Sequence, residues 1–124
     1  MYSLILKESV LKKEVAEVLQ QFFTVSENEV TYIDYTKSQD NRILFEYNPL
    51  KGNYQVEVLI YTVKSVNSMD LATSFAKTLK QNVLTSCASH NPYIWTRISP
   101  DGTFCEVQQK INFLDEDFFQ IREE

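Results

Sequence analysis

The stretch His90 to Gln109, HNPYIWTRISPDGTFCEVQQ, leaves this chain the fewest choices. Asn91-Pro92 blocks helix continuation, and Tyr93 to Ser99 is rich in β-branched and aromatic residues. Pro100-Asp101-Gly102 then supplies a fixed φ, a residue tolerant of left-handed backbone and a free hinge. These signals predict a β-hairpin. The commonest three-residue loop places a type I turn before a Gly bulge and pairs Ser99 with Thr103. Ile98 then faces Phe104, Arg97 faces Cys105, Thr96 faces Glu106 and Trp95 faces Val107. Alternation puts Tyr93, Trp95, Cys105, Val107 and Ile111 on one face, the expected core face. Thr96, Ile98, Phe104, Glu106 and Gln108 take the other.

The rest of the chain supplies partners for that hairpin. Met1 to Lys7 reads equally as a short strand or a helix lead-in. From Ser9 onward, Leu11, Val15, Val18, Leu19 and Phe22 recur at helical spacing among charged residues, predicting an amphipathic helix of about three to four turns. Glu29 to Tyr35, Arg42 to Tyr47 and Tyr54 to Val63 read as strands, with Ile43, Phe45 and Tyr47 sharing a face. Lys37 to Asn41 reads as a polar turn, and Asn48-Pro49 with Gly52-Asn53 as another. Val58 to Tyr61 is apolar on both faces, which suits a central strand, and the three strands together suggest an antiparallel meander. Ser68 as N-cap opens a second helix over Met69 to Gln81, with Leu71, Ala72, Phe75, Ala76 and Leu79 as its apolar stripe and Asn82 as the left-handed cap. Val83 to Cys87 is a short strand. Leu114 to Glu124 is a helical turn or an extended tail.

The expected architecture is α+β, a single domain over residues 1–124. A mostly antiparallel sheet carries two helices on one face, in the order α-β-β-β-α-β-β-β, with the terminal segment open. The second sheet face must be covered or left wet. Tyr32, Tyr47, Tyr54 and Tyr61 cannot all share one buried face, so exposed aromatic surface is expected, a usual property of binding sites.

Charge narrows the partners. The formal net charge is −5, which disfavours nucleic acid and suits a basic protein surface. Asp115, Glu116, Asp117, Glu123 and Glu124, set against Arg122 alone, concentrate most of that charge near Phe118, Phe119 and Ile121. This acidic, ring-bearing segment reads as a protein-binding edge, against the simpler reading that the rings dock on the core. Charge reaches the N-terminal sequence too early for a signal peptide or a membrane span, so the expected address is the cytoplasm. There Cys87 and Cys105 stay thiols.

Little in the chain suggests chemistry. His90 is the only histidine. Cys87-x-x-His90 with Cys105 does not have the spacing of a standard zinc site, and no orienting group accompanies a Cys-His nucleophile pair. Asp115 to Asp117 lack the glycine-containing loop of a calcium site. Nucleotide-binding and hydrolase motifs are missing from the sequence. No cofactor, no metal and no enzymatic activity are expected.

The helix LATSFAKTLKQNVLTS, the N-P-Y-x-W strand, the P-D-G turn and the acidic LDEDFF close form a recognisable cadence. Carried by Asn91, Pro92, Tyr93, Trp95, Pro100, Asp101, Gly102, Val107, Leu114 and Asp115, it resembles bacterial immunity proteins of polymorphic and contact-dependent toxin systems. The likeness spans about two fifths of the chain. It implies a cytoplasmic protein that occludes a toxin domain, commonly a nuclease, without catalysis. Asp115, Glu116, Asp117 and Glu123 are then the expected contacts to a basic toxin, and Phe104 the aromatic anchor. The element order is also similar to that of type III secretion chaperones, which hold an effector segment as homodimers; monomer and homodimer both stay open. A small enzyme or metal domain using His90 and Cys87 is the remaining alternative.

Overall fold

The computed structural model describes residues 1–33, 43–87, 91–110 and 118–122, with the side chain of Phe118 excepted. Among these residues the fold is α+β, two helices and a large, mostly antiparallel sheet. Strand β1 is Tyr2–Leu6, helix α1 Lys12–Phe23, and a 3-10 turn at Glu27–Glu29 leads into β2, Val30–Tyr32. Then come β3 (Ile43–Pro49), β4 (Lys51–Gly52), β5 (Val56–Thr62), helix α2 (Ser68–Leu79), β6 (Val83–Ser86), β7 (Ile94–Ile98), β8 (Phe104–Lys110) and β9 (Phe118–Ile121). Lateral order in the sheet is β2-β3-β5-β1-β6-β7-β8-β9-β4.

The element order therefore departs from the expected one at both ends, and by the two-residue strand β4 between the helices. The undecided N-terminal stretch is a strand, placed between β5 and β6, because Leu4 and Leu6 bury on one face and Ile5 on the other. Of the terminal segment, left open between a helical turn and an extended tail, Phe118–Ile121 is also a strand, and it pairs with β8 and β4. The expected meander is corrected too. β2 runs parallel to β3, through the pairs Val30–Ile43 to Tyr32–Phe45, while β3 and β5 are antiparallel. A parallel neighbour requires the longer connection that separates β2 from β3. The expected turn at Lys37 to Asn41 lies outside the described residues.

Alternate strand residues build the main core. Leu4, Leu6, Ile43, Phe45, Val56, Val58, Ile60, Val83 and Ile98 form one cluster with Val15, Val18 and Leu19 of α1 and Leu71, Ala72, Phe75 and Ala76 of α2. Those helix residues are the apolar stripes read from the sequence. Leu11 is the exception, standing 67% exposed just before α1. The caps shift by small steps. Asn67, not Ser68, caps α2, its Oδ1 accepting from the Met69 and Asp70 amides at 2.8 and 3.2 Å. Lys80, not Asn82, takes the left-handed position that ends it. A left-handed residue, Thr24, also ends α1. Neither helix is long and apolar enough to cross a membrane.

The hairpin has the predicted register, Ile94–Gln108 through Ile98–Phe104. Gly102 donates to Ser99 O at 2.9 Å, Ser99 donates to Thr103 O at 2.9 Å, and Gly102 adopts φ 89° as the bulge residue. The expected core face is a correction. Ile98 is fully buried and Thr96 nearly so, on the face that meets the main core, whereas Cys105 is exposed and Trp95 and Val107 are half-buried. The choice of face depends on where the helices lie, which hairpin chemistry does not encode. Ile111 lies outside the described residues.

Trp95 and Val107 belong to a second, smaller cluster on the opposite side of the sheet, with Ile5, Tyr54, Leu84, Phe119 and Ile121. Strand β9 makes this possible. It pairs with the end of β8 and then, parallel, with β4, which lies in the connection leading to β5. Running from β5 through β1, β6, β7, β8 and β9, the sheet thus returns to the loop from which β5 starts, and this half closes over its own second face. β3, on the other side of β5, lies outside that closed run.

Candidate protein-binding face

On β3 and β5 the side chains opposite the main core are Leu44, Glu46 and Asn48, and Glu57, Leu59 and Tyr61, all half-buried. Register explains their grouping: Leu44 pairs with Tyr61, Glu46 with Leu59, and Asn48 with Glu57. Direct pairs and diagonals on one antiparallel face are within side-chain reach. Accordingly the Tyr61 hydroxyl donates to Glu46 Oε1 at 3.2 Å, a diagonal contact, and Asn48 Nδ2 donates to Glu57 Oε1 at 3.3 Å, a direct one. The result is a patch of two carboxylates, one ring and two leucines. Partial burial pushes the Tyr61 hydroxyl above its ordinary pKa of 10.0, helped by the charge and hydrogen bond of Glu46 and then by the charge of Glu57. At neutral pH Tyr61 therefore presents a neutral phenol that donates to Glu46.

This patch was missed in the sequence, although part of its signal was present. Leu44, Glu46, Leu59 and Tyr61 fall at alternate positions in two predicted strands, so each strand was legible. What brings them together is the pairing of β3 with β5 in one particular register.

The expected contacts fare differently. Phe104 opens β8 and stands 69% exposed beside the buried Ile98 of its cross-strand pair. Asp115, Glu116, Asp117 and Glu123 lie outside the described residues. Of the apolar residues beside them in the sequence, Phe119 is 6% exposed and Ile121 3%, both packed in the smaller cluster. Trp95 and Phe119 meet edge to face, with centroids 5.5 Å apart. Phe119 and Ile121 are core residues. Tyr54 is buried, Tyr32 is exposed with Lys12 Nζ 3.8 Å over its ring, and Tyr47 donates to Val10 O at 2.7 Å.

Both cysteines are free thiols. Cys87 Sγ lies 3.6 Å from Glu106 Oε1, and Cys105 Sγ lies 3.4 Å from Arg97 Nη2. Arg97 pairs across the hairpin with Cys105, while Glu106 follows on the opposite face, so the thiols stand on different sides of the sheet. His90 lies outside the described residues.

No protein-family model matches the chain, and comparison with curated proteins and with solved structures also returns no match.

Proposed function

We propose that this protein acts by binding another protein, without catalysis, as an immunity protein that neutralises a basic toxin domain by occlusion. The observation that carries this reading is the half-open face of β3 and β5, where Glu46 and Glu57 stand among Leu44, Leu59 and Tyr61. An aliphatic and aromatic patch supplies buried contact area, and its carboxylates select cationic side chains on the partner. A net charge of −5 adds long-range attraction for a basic surface. Phe104, exposed at the start of β8, is a further apolar contact. The acidic residues Asp115, Glu116, Asp117 and Glu123 extend the same chemistry in the proposal.

Co-expression tests it. A toxin domain encoded beside this chain should lose its lethality when the chain is present and should co-elute with it as a discrete complex. Undiminished killing, with both proteins expressed and folded, removes the proposal.

A further inference from the structure

The closed half of the sheet has a mouth. At the end where β1 stops, β6 begins and β7 turns, a cleft of about 600 Å³ is bordered by Lys7, Tyr54, Asn82, Arg97, Cys105 and Arg122, among others. The topology assembles it. Leu84, Arg97 and Cys105 are cross-strand neighbours on the second face, so Arg97 sits one position beyond the Trp95 that helps fill the smaller cluster. Lys7 follows Leu6 and shares the face of Ile5 by alternation. Arg122 follows Ile121, whose backbone is held by Asn53, and its own amide donates to Gln108 O at 2.8 Å.

Three cations thus meet in one concavity of a protein that is acidic as a whole. Lys7 lies 5.0 Å over the ring of Tyr54, and none of the three makes an ion pair among the described residues. Glu106 also borders the cleft, but its carboxylate is turned to the other face of the sheet, toward Cys87. The Nε of Arg97 is closed off from solvent and has no hydrogen-bond partner among the described residues. Its Nη2 has, among them, the Cys105 sulfur at 3.4 Å, a weak acceptor. The guanidinium therefore meets the cleft it borders through its Nη end, whose paired N–H groups match the two oxygens of a carboxylate or phosphate.

We infer that this cleft binds an oxyanion, a phosphate or carboxylate group of a small molecule, with Arg97 as its fork and Lys7 and Arg122 as flanking charges. The volume falls in the range of small-molecule pockets. Asn82 adds a neutral polar group at the rim. This site is separate from the face of β3 and β5 and shares no residue with it, so it stands or falls independently of the toxin-binding proposal.

The test follows the Arg97 Nε–H resonance of the ¹⁵N-labelled full chain while inorganic phosphate, and separately citrate, is added at constant ionic strength. A saturable shift is expected with at least one. Saturation by phosphate alone assigns a phosphate ligand, by citrate alone a carboxylate, and by both the shared oxyanion chemistry. Arg122→Gln, at an exposed position, should weaken the apparent affinity about tenfold, the effect of losing one charged hydrogen-bonding partner. Lys7→Gln should weaken it in the same direction, and Lys13→Gln, on the surface of α1, should leave it unchanged. Amide shifts around the cleft give the same readout for Arg97→Gln, where binding should be lost. Absence of a saturable shift with either anion overturns the inference, as does unchanged affinity in Arg122→Gln and Lys7→Gln.

Discussion

Asn53 holds Ile121 by both of its backbone polar groups. Its Oδ1 accepts from the Ile121 amide at 2.8 Å, and its Nδ2 donates to the Ile121 carbonyl at 3.0 Å. The side chain acts as one more strand residue, extending the short parallel ladder of β4 and β9. Two part-buried bonds at about 1 kcal/mol each set the expectation. Asn53→Ala should lower the unfolding free energy by about 2 kcal/mol, and Asn53→Asp, which keeps only the acceptor, by less. Urea titration followed by Trp95 fluorescence reads both, because Trp95 packs on Phe119 beside this closure.

The preceding residue makes a different demand. Gly52 adopts φ 114°, and a Cβ there would run into the carbonyl of Phe119, which is backbone and cannot swing aside. Gly102 also has a positive φ, 89°, but a Cβ there would meet only the flexible end of Lys77, at 3.4 Å. Backbone strain alone costs about 1 kcal/mol for Gly102→Ala. Gly52→Ala adds a collision, and should cost about 3 kcal/mol. Comparing the two midpoints in denaturant checks the ranking.

Helix ends offer a change in the opposite direction. Thr24, a β-branched residue, sits at φ 53° after α1, and Lys80 at φ 56° after α2. Left-handed backbone disfavours any Cβ, and branching there most of all. Thr24→Gly should stabilise by about 1 kcal/mol and raise Tm by about 3 °C. Lys80→Gly should stabilise by a smaller margin. Calorimetric melting would reveal either shift.

Acid should erase a contribution of the hairpin loop. Asp101 Oδ1 accepts from the Thr103 hydroxyl at 2.7 Å and from its amide at 2.9 Å, and these bonds hold the carboxyl below its ordinary pKa of 3.8. A lowered folded-state pKa means that the carboxylate stabilises the fold above pH 3.8, and that this support is lost as pH falls through the lower folded value. Asp101→Ala should therefore be less stable than the parent at neutral pH, with the gap closing as the pH drops below that range. Paired melting curves from pH 7 downward measure it.

The proposed partner face makes its own prediction. Glu46→Lys with Glu57→Lys reverses the charge on both strands without touching the main core. Binding to a basic toxin domain should weaken by about tenfold or more, mostly through slower association and with a smaller dependence on salt. Surface plasmon resonance at two ionic strengths separates the rates. Asp101→Ala, in the hairpin loop and off that face, should leave association unchanged.

Much of this fold can be read from local chemistry. Pro100-Asp101-Gly102 sets the hairpin register because turn geometry and pairing are decided within a few residues. The stripes on α1 and α2 are legible for the same reason. What escapes such reading is pairing at a distance. Whether Trp95 or Ile98 enters the main core depends on the helices, and whether Phe119 is tail, helix or strand depends on Gly52, far back in the chain. The patch of Glu46, Glu57 and Tyr61 exists only because β3 meets β5 in one register, and the cationic cleft needs the ends of β1, β7 and β9 to meet the start of β6. The acidic residues that sequence alone singled out, Asp115 to Asp117 and Glu123, lie outside the described residues, and Phe119 and Ile121, read as their company, are inside the molecule.

Asn53 and Ile121 are 68 positions apart. In a refolding chain the hairpin and both helices can form from neighbouring residues, whereas the contact of Phe119 with Trp95 waits for this long-range closure, so the indole's emission reports a late step rather than an early one.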